Sequence, residues 1–200
     1  ERYEAAKRAK GLLEFGDLEH YALRILRDAS STPERSVPSA AAEDYRKRFA
    51  EIYLDEYQDT NEVQEAIVAL IARTDPGNVF MVGDVKQSIY RFRLAEPGLF
   101  LSKYRTYDIW RPDLAEAEAP EGLRIDLARN FRSRREILEA VNHVFRLIMR
   151  EPVGEMNYDS RAELVYGQGY PDAAPPNGAG DWGVELIVLD AAGVPGGDEG

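Results

Sequence analysis

Residues 52–61 run Ile-Tyr-Leu-Asp-Glu-Tyr-Gln-Asp-Thr-Asn: a short apolar, β-like stretch that ends on two adjacent carboxylates, Asp55 and Glu56, with Asp59 one turn further on. Carboxylates at a strand end can hold a hard cation and can take a proton from water, so metal binding and general-base chemistry are the first readings. A second β-like stretch, Val79-Phe80-Met81-Val82, ends in Gly83-Asp84 and passes into Lys86-Gln87-Ser88-Ile89-Tyr90-Arg91-Phe92-Arg93. An ordinary acidic loop after each strand is the plain alternative; two such strands in succession weaken it.

The elements around these residues must bring them together. Glu62 to Arg73 carries Val63, Ala66, Ile67, Leu70 and Ile71 at the i, i+3, i+4, i+7, i+8 spacing of a helix with one apolar face. Strand, helix, strand at this length predicts a βαβ unit with parallel strands. Ligands of open parallel sheets bind beyond the carboxyl ends of the strands, where Asp55, Glu56 and Asp84 are expected to converge. Their joint charge asks for a divalent cation, and Mg²⁺ is commonly held by one or two carboxylates plus substrate phosphates. Around this unit the pattern predicts an amphipathic helix over Asp17 to Leu26, a loop over Ser30 to Ser39, a helix from about Ala40 to Phe49, and a helix opened by Pro97 that carries Leu99, Phe100 and Tyr104. The acidic, Pro-containing run Arg111 to Gly122 is the expected domain boundary. Beyond it a strand is expected over Leu123 to Leu127, then a helix capped by Ser133 and running through Ile137, Leu138, Val141, Val144, Phe145 and Ile148. Residues 151–181 read as a long irregular connection, and a last strand would begin near Gly183.

Composition sets outer limits. The 200 residues, 44% hydrophobic, leave room for one or two packed domains. There is no cysteine and only two histidines, so these residues offer no disulfide framework, thiolate zinc site or cysteine nucleophile. The longest apolar run, Ala66 to Ala72, is far too short to span a bilayer, and a cytoplasmic protein with no membrane partner is expected. A net charge of −11 argues against a general nucleic-acid coat. Basic clusters at Arg91, Arg93, Lys103 and Arg105, and at Arg129, Arg132, Arg134 and Arg135, keep local nucleic-acid contact open beside the alternative of solvated charged faces. The chain starts at Glu1 inside a helix-like stretch and stops in a Gly-rich run soon after Val184 to Leu189, and so reads as an excerpt.

The run Asp55-Glu56-Tyr57-Gln58-Asp59-Thr60-Asn61 resembles motif II of the UvrD-like superfamily 1 DNA helicases. Gly83 to Arg93 resembles motif III and Asn130-Phe131-Arg132-Ser133 resembles motif IV, in the family's order. General UvrD-type chains usually carry Trp, Gly and Tyr where this one has Phe92, Leu94 and Phe131. With Leu94-Ala95-Glu96-Pro97 and the upstream Phe15-Gly16-Asp17-Leu18-Glu19-His20-Tyr21, the chain is similar to the AddA branch, the helicase/nuclease subunits of bacterial double-strand-break repair.

The resemblance implies an α/β architecture, the RecA-like P-loop NTPase fold with a parallel sheet. Residues 1–122 would belong to the first RecA-like domain and 123–200 to the start of the second. ATP and Mg²⁺ are the implied cofactors, single- and double-stranded DNA the substrate, and an AddB-type second subunit the partner. Asp55 would hold Mg²⁺, Glu56 would position and deprotonate the attacking water, and Gln87 would sense the γ-phosphate. Arg132 would be the arginine finger of the second domain, and Phe131 would stack near the adenine. Tyr90 and Phe92 would stack on bases of single-stranded DNA, and Arg93 would bridge the nucleotide and DNA sides. The residues alone leave other readings open: Tyr90 to Arg93 as an edge strand with core aromatics, Gln87 as a surface turn residue, Arg132 as decoration of a helix start. A repair helicase of the UvrD/PcrA type and a non-hydrolysing, helicase-like DNA-binding scaffold are the competing functions. No Gly-x-x-x-x-Gly-Lys-Ser/Thr loop occurs in the 200 residues, so the chain by itself is expected to lack ATPase activity.

Overall fold

A computed structural model of the chain describes residues 2–90, 92, 94–111, 122–150, 156–169, 184, 185 and 187. The chain divides after Arg124 into two units.

The first unit is built on the expected βαβ element. β1 (Ile52–Leu54) and β2 (Val79–Met81) pair in parallel, Ile52 against Val79 and Leu54 against Met81, with α4 (Glu62–Ile71) between them in sequence. Asn61 opens α4 with a reciprocal cap: its side chain accepts from the Gln64 amide (2.9 Å), and the Gln64 side chain accepts from the Asn61 amide (3.2 Å). The helix stops two residues short of the expected Arg73, because Ala72 turns to an extended backbone and the Arg73 amide donates to the Asn78 side chain instead (2.8 Å). The apolar stripe of α4 packs on α2 (Phe15–Leu26) and α3 (Ala40–Arg48): Leu26, Ala42 and Leu70 are buried, with Leu23, Ile67 and Ile71 around them.

Two polar contacts fix the helices against each other. Glu19 of α2 accepts from both members of the α4 cap, Gln64 Nε2 (2.8 Å) and Asn61 Nδ2 (3.3 Å). Lys7 of α1 (Arg2–Lys10) donates to Asp17 of α2 at 2.7 Å. The loop after α2 returns through Ser39, which accepts from the Ala42 amide and caps α3.

After β2, α5 (Pro97–Thr106) begins with Pro97 in its first turn. Short parallel strands follow, β3 (Asp108–Ile109) and β4 (Leu123–Arg124). The strand expected over Leu123 to Leu127 thus ends at Arg124, since its partner offers only two residues and a last bond from the Trp110 amide to the Arg124 carbonyl (2.8 Å). Arg124 also stacks its guanidinium 3.9 Å from the centre of the Tyr104 ring. Of the acidic run Arg111 to Gly122, residues 112–121 lie outside the described ones.

In the second unit β5 (Arg129–Asn130) pairs in parallel with β6 (Val165–Tyr166), and α6 (Arg135–Ile148) lies between them in sequence. β6 falls in what the sequence presents as irregular connection. It is held by Asn142, buried in α6, whose carboxamide donates to the Leu164 carbonyl (2.9 Å) and accepts from the Leu164 amide (2.9 Å) and the Tyr158 hydroxyl (2.6 Å). Ser133 is not the helix cap. The Asn130 side chain takes the amides of both Arg132 and Ser133 at 2.9 Å, so the helix starts one residue later, with Arg134 in the capping position. The strand expected from Gly183 lies outside the described residues except for Val184, Glu185 and Ile187. Among the described residues no helix is long and apolar enough to cross a membrane.

Candidate functional site

At the end of β1 the chain turns sharply. Glu56 has φ 50° and ψ 42°, the left-handed region that a residue with a side chain rarely adopts and that costs on the order of 1–3 kcal/mol. Two hydrogen bonds and the burial of the next two residues hold it there. The Glu56 amide donates to Asp55 Oδ1 (2.9 Å), the Tyr57 amide donates to the Val82 carbonyl at the end of β2 (2.9 Å), and Tyr57 and Gln58 are both 1% exposed. The strained turn leaves the Asp55 and Glu56 side chains at the surface, beyond the carboxyl end of the parallel pair.

Gln58 then joins the two strand ends. Its Nε2 donates to Glu56 Oε2 (2.7 Å) and its Oε1 accepts the backbone amide of Asp84 (2.9 Å). Gly83 makes room for this. A Cβ there would stand 2.7 Å from Gln58 Oε1 and 3.0 Å from the Phe100 ring, so this is a close approach that only glycine permits. Asp84 caps the short turn Val85–Gln87: its carboxylate accepts from the Lys86 amide, pairs with the Lys86 ammonium at 2.8 Å and accepts from Gln87 Nε2 at 3.1 Å.

The sequence leads one to expect three carboxylates to converge here, and they do not. Among the described residues no group of three acidic or histidine side chains is placed to hold a metal ion. The reason is local: Gln58 stands between Glu56 and the Asp84 segment, and Asp84 is turned toward Lys86 and Gln87. Asp55 with Glu56 remains an exposed pair of hard oxygen donors, which suits a Mg²⁺ ion that draws its other ligands from phosphate and water.

Behind the turn, the Tyr57 hydroxyl donates to Glu65 of α4 (2.8 Å), and Lys103 of α5 donates to the same carboxylate (2.6 Å) while lying 5.3 Å from the Tyr57 ring centre. Burial, with the bond to Glu65 adding to it, pushes the Tyr57 hydroxyl up to about 12. The motif II turn is therefore bolted to both α4 and α5.

Tyr90 and Phe92 follow the Gln87 turn. They are not on a strand, and they are 37% and 75% exposed, with ring centres 5.9 Å apart. Neither of these two rings lies on a strand or in the core. Arg93 lies outside the described residues.

In the second unit, Phe131 and Arg132 sit at the surface on the turn that Asn130 closes. The Phe131 ring lies over the backbone of Gly167, where a Cβ would meet it at 2.6 Å, and the Gly167 amide donates to the Asn130 carbonyl (2.9 Å). Arg135, next along, places its guanidinium 4.8 Å from the centre of the Tyr166 ring. Sequence reasoning gave no role of their own to Gln58, Glu65, Glu19 and Gly167, and it read Lys103 only as one of a basic cluster, whereas the structure pairs it with Glu65. Each acts through a partner distant in sequence, and no spacing rule announces it.

The UvrD/REP helicase N-terminal domain matches residues 1–108. The chain is 52% identical over 201 residues to a protein of Heliobacterium modesticaldum named as an ATP-dependent helicase/nuclease subunit, covering 94% of this chain and 14% of that protein. It is 52% identical over 174 residues to proteins of the same name from Bacillus mycoides and Bacillus cereus, covering 86% of this chain and 13% of each of them. The 200 residues thus span about one seventh of the length of these relatives. With the domain match extending over more than half of its length and meeting the motif II turn and the Gly83–Asp84 loop that the geometry joins, the chain belongs to the UvrD/REP helicase family.

Proposed function

We propose that these residues are the central part of an ATP-dependent DNA helicase that couples ATP hydrolysis to translocation on single-stranded DNA and unwinding of duplex DNA. Residues 1–122 belong to a first RecA-like domain and 123–200 to the start of a second. The observation that carries this reading is Glu56: an exposed carboxylate in a strained turn at the carboxyl end of parallel strands, held from behind by a buried amide. Such strain is kept where a side chain must be aimed.

In this reading Glu56 orients the attacking water and takes its proton. Asp55 would hold Mg²⁺, and the bound ion would supply positive charge to the transferring phosphoryl group. Gln87, held by Asp84, would sense the γ-phosphate, and Arg132 would supply the finger guanidinium. Phe131 offers its exposed ring to the adenine. Tyr90 and Phe92, exposed and close together, offer stacking faces to successive bases, with Arg93 between the DNA and nucleotide sides. A helicase/nuclease of the AddA type, working with an AddB-type partner in the cytoplasm on double-strand breaks, is the assignment that the named relatives support over a UvrD/PcrA-type enzyme. A non-hydrolysing scaffold would have no use for the strained Glu56.

The test is made in the full-length protein. Glu56→Gln is expected to bind ATP and single-stranded DNA normally and to lose ~10²- to 10⁴-fold in DNA-stimulated hydrolysis. Hydrolysis within about threefold of the unsubstituted protein would remove Glu56 as the base.

A further inference from the structure

The Gln58 side chain has a use that motif spacing does not assign. A carboxamide has one donor end and one acceptor end, and here both are committed to different elements. Its orientation is fixed by chemistry, since the Asp84 amide can only donate and the Glu56 carboxylate can only accept; Oε1 must therefore face Asp84 and Nε2 must face Glu56. The side chain is 1% exposed, so neither end can be served by bulk water. Beyond Asp84 the bonds continue, from Glu56 to Gln58 (2.7 Å), Gln58 to the Asp84 amide (2.9 Å), and the Asp84 carboxylate to Gln87 (3.1 Å). Tyr90 and Phe92 follow within five residues of Gln87.

We infer that Gln58 is a positioning residue: its amide end aims the Glu56 carboxylate, its oxygen anchors the Asp84 backbone, and the loop carrying Gln87, Tyr90 and Phe92 is thereby held in register with the hydrolytic group. The inference rests on the helicase reading and deepens it. Occupancy of the aromatic loop by DNA can change the aim of Glu56 through this joint, because the bonds from Glu56 to Gln58 and on to the Asp84 segment are continuous. Glutamate in its place keeps the acceptor for Asp84 but loses the donor and sets a second carboxylate against Glu56. Methionine keeps roughly the volume and loses both ends. Gly83 matters for the same reason, because a methyl group there displaces the Gln58 oxygen without removing it.

The experiment uses the full-length protein, ATP and an oligo-dT single strand, with KM and kcat measured with and without DNA. Gln58→Met, which loses both ends, is expected to keep KM for ATP and to lose ~10- to 100-fold in DNA-stimulated kcat, the size of effect that misaim of a catalytic group produces. Gln58→Glu, which loses only the donor, is expected to lower kcat as well at an unchanged KM. A residue that only supported the fold would raise KM for ATP while lowering kcat. If Gln58→Met fails to fold, Gly83→Ala takes its place and is expected to lower stimulated kcat while Gln58 is still present. DNA-stimulated kcat within about threefold of the unsubstituted protein in both Gln58 variants overturns the inference, as does a loss of kcat matched by an equal rise in KM for ATP. Absence of DNA-stimulated hydrolysis in the unsubstituted protein would instead defeat the helicase reading itself.

Discussion

Gly167 shows how a residue without a side chain can set the position of one that has a role. Phe131 is exposed, yet its ring is not loose on the surface: it lies on the Gly167 backbone with no space for a Cβ between them. The requirement there is close approach rather than an unusual backbone angle. Gly167→Ala is therefore expected to lift the Phe131 ring from its seat. If Phe131 stacks near the adenine, nucleotide affinity of the full-length protein should fall about two- to tenfold, the range of one aromatic contact. Phe131→Ala should give a similar loss, and the double substitution should be no worse than either alone, because both act on one ring. Titration with a fluorescent ATP analogue reads all three; additive losses, or an unchanged affinity in a folded Gly167→Ala protein, would separate Phe131 from the nucleotide.

Between elements, small polar clamps do what the apolar stripes cannot. Asn142 holds both main-chain groups of Leu164 and the Tyr158 hydroxyl, and so fastens the β6 segment to α6. Asn142→Leu keeps the volume and takes their side-chain partner from both main-chain groups of Leu164, at ~1–3 kcal/mol for each that stays buried. Hydrogen exchange at Leu164 to Gly167 in the full-length protein should accelerate while β1 and β2 keep their protection; unchanged protection at Leu164 would show that the clamp contributes nothing. The same clamp explains what is legible in the sequence and what is not. The periodicity of α4 and the two apolar runs beside it carry their own signal over ten residues, so β1, α4 and β2 can be read directly. β5 and β6 are two residues each, too short for alternation to register, and they exist because Asn142 presents the Leu164 main chain for pairing. Ser133 resembles a cap because serine caps well, but Asn130 three residues earlier takes its amide. Convergence of Asp55, Glu56 and Asp84 follows from strand ends alone; whether carboxylates meet depends on what stands between them, and here that is a glutamine.

At the scale of the whole chain, a net charge of −11 has to be reconciled with DNA as a substrate. Electrostatic attraction to phosphate requires free cations, and two lysines close to the motif loops are already matched: Lys86 with Asp84 at 2.8 Å and Lys103 with Glu65 at 2.6 Å. Tyr90 and Phe92 offer a grip of a different kind, since base stacking needs no charge and is insensitive to sequence. The two modes leave different signatures in salt. Each lost phosphate contact to a single strand flattens the slope of log affinity against log salt by ~0.7, whereas a lost stack lowers affinity equally at every salt concentration. The Tyr90→Ala, Phe92→Ala double variant of the full-length protein is accordingly expected to bind an oligo-dT strand about tenfold or more weakly, from ~1–3 kcal/mol per stacked base, along a line parallel to that of the unsubstituted protein. Fluorescence anisotropy across a salt series measures both quantities at once. Unchanged affinity would leave the exposed pair without a part in DNA binding, and a flattened slope would mean that the rings serve to present neighbouring cations to phosphate rather than to hold bases themselves.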